Sequence, residues 1–471
     1  MKSNPQFTSL VRIVPGSARS WRAVNNQPEQ EMKTKNVTTL HLRKSISRSP
    51  LRRGFPVIAL VLLCFAFMPA AQATDQRNPD PLRRAFAFHP FTNNIRLGSD
   101  RGVSSTAPLG SCVDWEVVQS PNAGTVNDQL LAATAISDNN VWAAGWYYQG
   151  NAVLTLTEHW NGTIWSIVSS PNLNGSGELY GITAVASNDV WAVGFSNGST
   201  LILHWDGMNW SVVPSANPHV YNRLFEVHAV SANDVWAVGT ASDCQNCASY
   251  TLTEHWDGTS WTSVPSPNVG FSNGLTALAV TPGFVWAAGN YNACDLCPAQ
   301  TLTIRWDGST WKVVASPNVG SGSNYIDRMS AIPSSVTSRA VWAVGFYYAQ
   351  GNTPPERTLA LYWDGSQWSI VPTPNGSGGT ALGGVGAVAA NDVWAVGSTN
   401  IEGDTIKTWI QQWDGTSWTI VPSQNAGTAE NGLNYVAVTP TGNSWAVGAY
   451  YNTPYSYRTM VERAVYNCGT K

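Results

Sequence analysis

The chain has 471 residues, of which 43% are apolar and only 12% charged, enough hydrophobic material for a large core and too much for wholesale disorder. Gly 41, Pro 27 and Trp 23 make it turn-rich and well supplied with aromatic anchors, which excludes an all-helical fold and favours many short strands. The formal net charge of -3 hides a split: residues 1–73 hold 11 Lys and Arg against Glu29 and Glu31, leaving 15 basic and 27 acidic residues beyond them, a balance of -12. A nucleic-acid binder needs clustered basic charge, and that remainder has none, so no nucleic-acid partner is expected.

The amino-terminal end reads as an address. Arg43, Lys44, Arg48, Arg52 and Arg53 lead into an apolar run from Phe55 to Ala71 that closes with Ala71-Gln72-Ala73, the small-x-small pattern of a signal cleavage site. Residues 1–73 are therefore expected to be a signal peptide with a long basic leader, and the mature chain to be secreted or held at the outer surface. Left uncleaved, the same run would anchor the chain, and that is the one route to a membrane. Arg52-Arg53-Gly54-Phe55 also resembles a twin-arginine signal. Residues 74–111, with Pro79 and Pro81 and few periodic apolar positions, read as a disordered linker.

From Cys112 onward the chain repeats itself. WAVG or WAAG recurs seven times, with its Trp at 142, 191, 236, 286, 342, 394 and 445. The spacings of 45 to 56 residues are too long for a heptad or helical-hairpin array and suit a four-stranded blade. A second signature, WDGxxW, follows six times from Trp160, Trp205, Trp256, Trp306, Trp363 and Trp413, with Asn161 replacing the Asp in the first copy. VPSPN or a relative comes directly after.

Each repeat reads as four strands. In the third they are Phe225 to Val230, Val235 to Gly239, Tyr250 to Trp256 and Trp261 to Val264, with Asn-Asp and Asp-Gly supplying the tight turns. Pro after the fourth strand lacks a ladder donor, which places that strand outermost. The last repeat lacks a fourth strand, and an orphan one, Trp115-Glu116-Val117-Val118, precedes the first repeat. One end supplies what the other lacks. The expected fold is thus an all-β, seven-bladed β-propeller over residues 112–471, its ring closed by the N-terminal strand pairing into the C-terminal blade.

Six cysteines follow the signal, and an even number in an exported chain suggests disulfides. Cys112 with Cys468 would staple the joint, and Cys244 with Cys247 and Cys294 with Cys297 would close local loops. A shared four-thiolate zinc site is the competing reading of the two CxxC pairs. Export favours disulfides, so no metal and no cofactor is expected.

The repeats resemble those of bacterial exported β-propellers related to the Asp-box (BNR) and kelch-like groups. The Asp-Gly-x-x-Trp turn is one residue shorter than an Asp box, and the double glycine of kelch strands is absent. The resemblance implies the architecture; the activities found in those groups, among them sialidases, carbohydrate oxidases, lectins and assembly factors, do not follow from fold.

Of the 23 Trp, 20 fall at repeat positions, which marks them as packing elements, and the Asp of WDG has a turn to make. Aromatics outside those positions are more informative: Trp146, Tyr147, Tyr148, Tyr291, Phe346, Tyr347, Tyr348, Tyr450 and Tyr451 all follow a second strand and are expected around one rim. Aromatic faces beside amides suit sugar rings, so the expectation is a monomeric binding module for a glycan or protein ligand. The alternatives are a plain scaffold and a carbohydrate-active hydrolase. Its acids would come from loops at the channel mouth: Glu226, Asp327, Asp128 and Glu430, since glycoside hydrolysis needs two carboxylates. His228 is the one histidine that a first strand offers to the channel, and a structural role is expected for it.

Overall fold

The computed structural model describes residues 113–466 except positions 246, 334–338, 351–354, 402–404 and 453–455. The signal segment, the linker and the Cys112 to Cys468 pairing fall outside the described residues. Within them the chain is all-β, with 28 strands and no helix. β1 (Val113–Val118) stands apart in sequence from the rest. The first repeat forms β2 (Val126–Ser137), β3 (Asn140–Gln149), β4 (Ala152–Trp160) and β5 (Trp165–Ile167). The second forms β6 (Glu178–Ala186), β7 (Asp189–Ser196), β8 (Ser199–Trp205) and β9 (Trp210–Val212). The third forms β10 (Tyr221–Ser231), β11 (Asp234–Ser242), β12 (Tyr250–Trp256) and β13 (Trp261–Ser263). β14 (Ser272–Thr281), β15 (Phe284–Asn292), β16 (Ala299–Trp306) and β17 (Trp311–Val314) make the fourth, and β18 (Asn324–Ala331), β19 (Val341–Tyr348), β20 (Glu356–Trp363) and β21 (Trp368–Ile370) the fifth. The sixth holds β22 (Thr380–Ala389), β23 (Asp392–Ile401), β24 (Thr405–Trp413) and β25 (Trp418–Val421), and the seventh β26 (Glu430–Val438), β27 (Ser444–Asn452) and β28 (Ser456–Tyr466).

The first five repeats are separate four-stranded antiparallel sheets; the last two share one eight-stranded sheet that also contains β1. Its two halves meet at a parallel pair, Ile406 with Glu430, and at a parallel bridge between Trp115 and Ser423. β1 runs antiparallel to β28, with Trp115 opposite Ala464 and Val118 opposite Val461. Trp115 therefore lies in the sheet that holds Trp445.

Each signature has a local physical reason. In the third repeat Asp257 Oδ1 accepts from the amides of Thr259 at 2.8 Å and Ser260 at 2.9 Å, while Gly258 takes a φ of 93°, so WDG is a turn that Asp-Gly closes cheaply. The glycine of WAVG answers a bulge: the register slips at Phe225, between Leu224 and Glu226, and a Cβ on Gly239 would meet the Arg223 carbonyl oxygen at 1.8 Å. The bulge also explains why β10 starts at Tyr221, earlier than the sequence pattern marks it. The Asn of the third signature pins the outer tail: Asn268 Oδ1 accepts from the Thr251 amide at 2.8 Å. In the last sheet Thr459 makes the equivalent bond at 3.0 Å to Asn122, which lies more than 300 residues away in sequence.

The core lies between sheets. The Trp of each second strand is fully enclosed, and all but Trp394 pack on the Trp pair of the following repeat, as Trp142 does on Trp205 and Trp210 at 5.0 and 5.4 Å. Trp394 meets Trp115 edge-on at 5.2 Å, and Trp445 meets Trp160 at 5.0 Å and Trp165 at 5.6 Å, so the last sheet packs on the first. Trp115 is 1% exposed. Trp115→Ala should cost about 3–5 kcal/mol, the usual loss for emptying a buried Trp site, measured as a lower denaturant midpoint; a cost below about 1 kcal/mol would mean that β1 contributes little to this sheet.

Candidate functional site

Six of the seven first strands have a neighbour on one side only, and β26 meets a second, β24, only at Glu430, so the other edges carry main-chain groups that need partners. Arg328, in β18, supplies several of them. Its side chain is 2% exposed, with Nε 3.1 Å from Glu226 Oε2. Nη1 donates to the carbonyls of Thr276 at 3.2 Å and Asp327 at 3.0 Å, and Nη2 to those of Tyr180 at 3.3 Å and Leu131 at 3.5 Å. The guanidinium also lies 5.4 Å from the Tyr435 ring centre. One side chain thus touches β2, β6, β10, β14 and β26. Beside it Asn434 Nδ2 donates to the Leu130 carbonyl at 2.9 Å, and Leu131, Tyr180 and Phe225 form a small apolar cluster.

The structure brings Glu226 and Asp327 together at this hub rather than at an open mouth: they are 3% and 4% exposed. Burial raises the carboxyl pKa of each to about 7, with Arg328 pulling in the opposite direction. Asp128 is fully buried, accepts from the Gly124 amide at 2.7 Å and faces Arg458 at 3.6 Å; burial pushes its pKa up. Glu430 accepts the Tyr457 hydroxyl at 2.7 Å, which with burial holds that phenol's pKa well above its ordinary value. Glu226, Asp327 and Asp128 are therefore enclosed, and Glu430 is engaged by Tyr457.

The aromatic residues divide by strand alternation. Tyr147, Tyr291, Tyr347 and Tyr450 occupy the same place in their repeats and lay their rings on the apolar clusters between sheets. Phe346 is buried and stacks on Tyr325 at 4.9 Å. Trp146 packs on the cluster around Leu131 and contacts Tyr148 edge-on at 5.4 Å. Tyr148, Tyr348 and Tyr451, again equivalent in sequence, are half-buried. Tyr348 donates to Glu356 at 2.9 Å, and Tyr451 lies 5.2 Å from Tyr457. Register places all three beside the start of a first strand, as Tyr148 opposite Val126 shows. The Cys244–Cys247 and Cys294–Cys297 disulfides are both formed, in loops at this same end of the second strands. His228 is half-buried at the other end of the first strands, and burial lowers its pKa to about 4.

Sequence reasoning missed a set of acids between the sheets. Glu158, Glu254 and Glu462 are the fourth residue of the Thr-Leu-Thr-Glu-type third strands, where other repeats have Leu203, Ile304, Leu361 and Gln411. All three are fully buried, and desolvation raises their pKa values, to about 8 for Glu254 and Glu462. The only signal was their place two residues beyond Leu156, Leu252 and Met460, on the same face of an alternating strand. The unfolded chain releases such a proton from about pH 4.5, whereas the folded chain keeps it to about pH 8, so their contribution to stability falls as pH rises through that window. Glu254→Leu should accordingly raise the melting temperature, by more at pH 8 than at pH 5; an equal gain at both would show that Glu254 does not hold its proton. Arg328→Met, which leaves Glu226 without its partner, should cost about 3–5 kcal/mol in denaturant unfolding, part of it recovered by adding Glu226→Gln.

No protein-family model matches the chain, and no curated protein matches it. Among solved structures, YCF48 from Cyanidioschyzon merolae is similar at 15% identity, with a TM-score of 0.46, over 74% of this chain and 98% of that one. The RRP9 WD40 repeats reach 10% identity and a TM-score of 0.47 over 74% of this chain and 97% of theirs. A polysaccharide lyase, an ulvan lyase solved with a sulfated disaccharide repeat, reaches 9% identity and a TM-score of 0.44 over 70% of this chain and 93% of its own.

Proposed function

We propose that the chain is an exported seven-bladed propeller acting as a binding module, with a glycan as its ligand on the rim beside the starts of the first strands. Seven WAVG copies, the β1–β28 pairing and the packing of Trp445 on Trp160 and Trp165 support the ring. The signal-like leader and the two disulfides support export.

The observation that carries binding over hydrolysis is the state of the acids. Glu226 and Asp327 are enclosed with Arg328, Asp128 faces Arg458, and Glu430 holds Tyr457, so no pair stands ready to flank a glycosidic bond. What that rim offers instead are half-buried Tyr148, Tyr348 and Tyr451, whose ring faces suit the C–H face of a sugar. Purified protein on a glycan array should retain a ligand, with Tyr148→Ala and Tyr451→Ala each weakening it about tenfold, the loss of roughly one good stacking contact. Release of reducing sugar that disappears with Glu226→Gln would overturn the reading in favour of a hydrolase.

A further inference from the structure

In four repeats the residue that opens the second strand is bonded to the penultimate residue of the third. Asn140 meets His159 at 2.8 Å, Asp189 meets His204 at 2.9 Å, Asp234 meets His255 at 2.8 Å, and Asp392 accepts from Gln412 at 3.0 Å. The fourth repeat breaks this pairing. Phe284 stands where the acid would be, and Arg305 stands where the histidine would be, opposite Trp286 in register. The Phe284 ring packs on the apolar cluster between the fourth and fifth sheets, which fixes it in place. The Arg305 guanidinium lies 4.3 Å from its centre and 5.4 Å from that of Trp286. A second cation reaches the same phenyl ring: Arg339, just ahead of β19, at 4.9 Å.

Two guanidiniums on one ring stand no farther apart than the sum of their distances to its centre. That is inside about 10 Å, the Debye length at 0.1 M salt, so their repulsion is not screened away. The aromatic face offsets only a part of it. The aspartates of the adjoining WDG turns are already taken. Asp307 holds Lys312 at 2.5 Å and accepts from the amides of Ser309 at 3.0 Å and Thr310 at 2.9 Å. Asp364 accepts from those of Ser366 at 2.7 Å and Gln367 at 2.9 Å. Among the described residues neither Arg305 nor Arg339 has an ion-pair or side-chain hydrogen-bond partner. Arg339 is exposed and Arg305 half-buried, so the N–H forks of both are open to an incoming ligand.

We propose that Arg305 and Arg339 form an anion site, in which the two planar forks hold one sulfate, phosphate or carboxylate group and Phe284 sets their spacing. Guanidinium matches such oxygens in paired, charge-assisted bonds. Phe284 lies at the turn from first strand to second, opposite Thr281, at the far end of the strands from the rim tyrosines, so the site is independent of the rim reading. Sodium sulfate titrated into the full chain at pH 7 and constant ionic strength should shift the Nε–Hε NMR signals of both arginines together and to saturation. Arg339→Gln and Arg305→Gln should each weaken sulfate about tenfold. Arg463→Gln, at the equivalent place in the seventh repeat, should leave it unchanged. Phe284→Asp, which restores the acid of the other repeats, should pair with Arg305 and weaken sulfate as much; should it fail to fold, Arg339→Gln, at an exposed position, still decides. Calorimetry with dextran sulfate against plain dextran separates the sources. Dextran sulfate binding that both arginine changes remove assigns the anion to a sulfated chain, and a response to sulfate alone assigns it to a free ion. No saturable shift with either probe, or binding that survives both arginine changes together, would overturn the site.

Discussion

The structure depends on one contact repeated around the chain: an indole from the second strand of one sheet set against two aromatic rings of the next. A sheet of four strands cannot bury both of its faces by itself, and the short fourth strands here add little. Each enclosed Trp removes roughly 150–250 Å² from water, so the sheet interface carries most of the hydrophobic stabilisation available to a repeat. The rest follows from that packing. The third-strand position facing it takes Leu, Ile or Gln in some repeats and Glu in others, and burial there pushes the glutamate pKa values up.

Stacking sheets side by side creates a second problem, since the first strands turn largely unpaired edges toward one another. Main-chain carbonyls left there without partners would cost about as much as lost hydrogen bonds. Arg328 meets several of these carbonyls at once because a guanidinium carries five donors in a fixed fork. Its charge in turn demands Glu226 nearby. The two are a matched pair, and this explains why an acid that looked placed for catalysis is enclosed instead.

The amino-terminal strand shows how a repeat signature can act at a distance. Trp115 takes the place that Trp165 or Trp210 takes elsewhere, and Asn122 bonds Thr459 as Asn268 bonds Thr251. The place of Trp115 is readable in the sequence, because the last repeat lacks its fourth strand and the only spare copy precedes the first. The division of the aromatic residues was readable only in part. Alternation says that Tyr147 and Tyr148 face opposite ways, yet which of them meets a neighbouring sheet depends on where that sheet stands.

Read alone, the amino-acid order determined the period, the strand order within each repeat, the turn chemistry and the complementary ends, because those depend on residues within a few positions of one another or on exact repetition. Only the tertiary structure decided that Glu226 meets Arg328 and that Tyr435 covers the same guanidinium. Those outcomes arise where first strands from different repeats converge. Residues more than 50 positions apart share that space, and no local pattern records which side chain fills it.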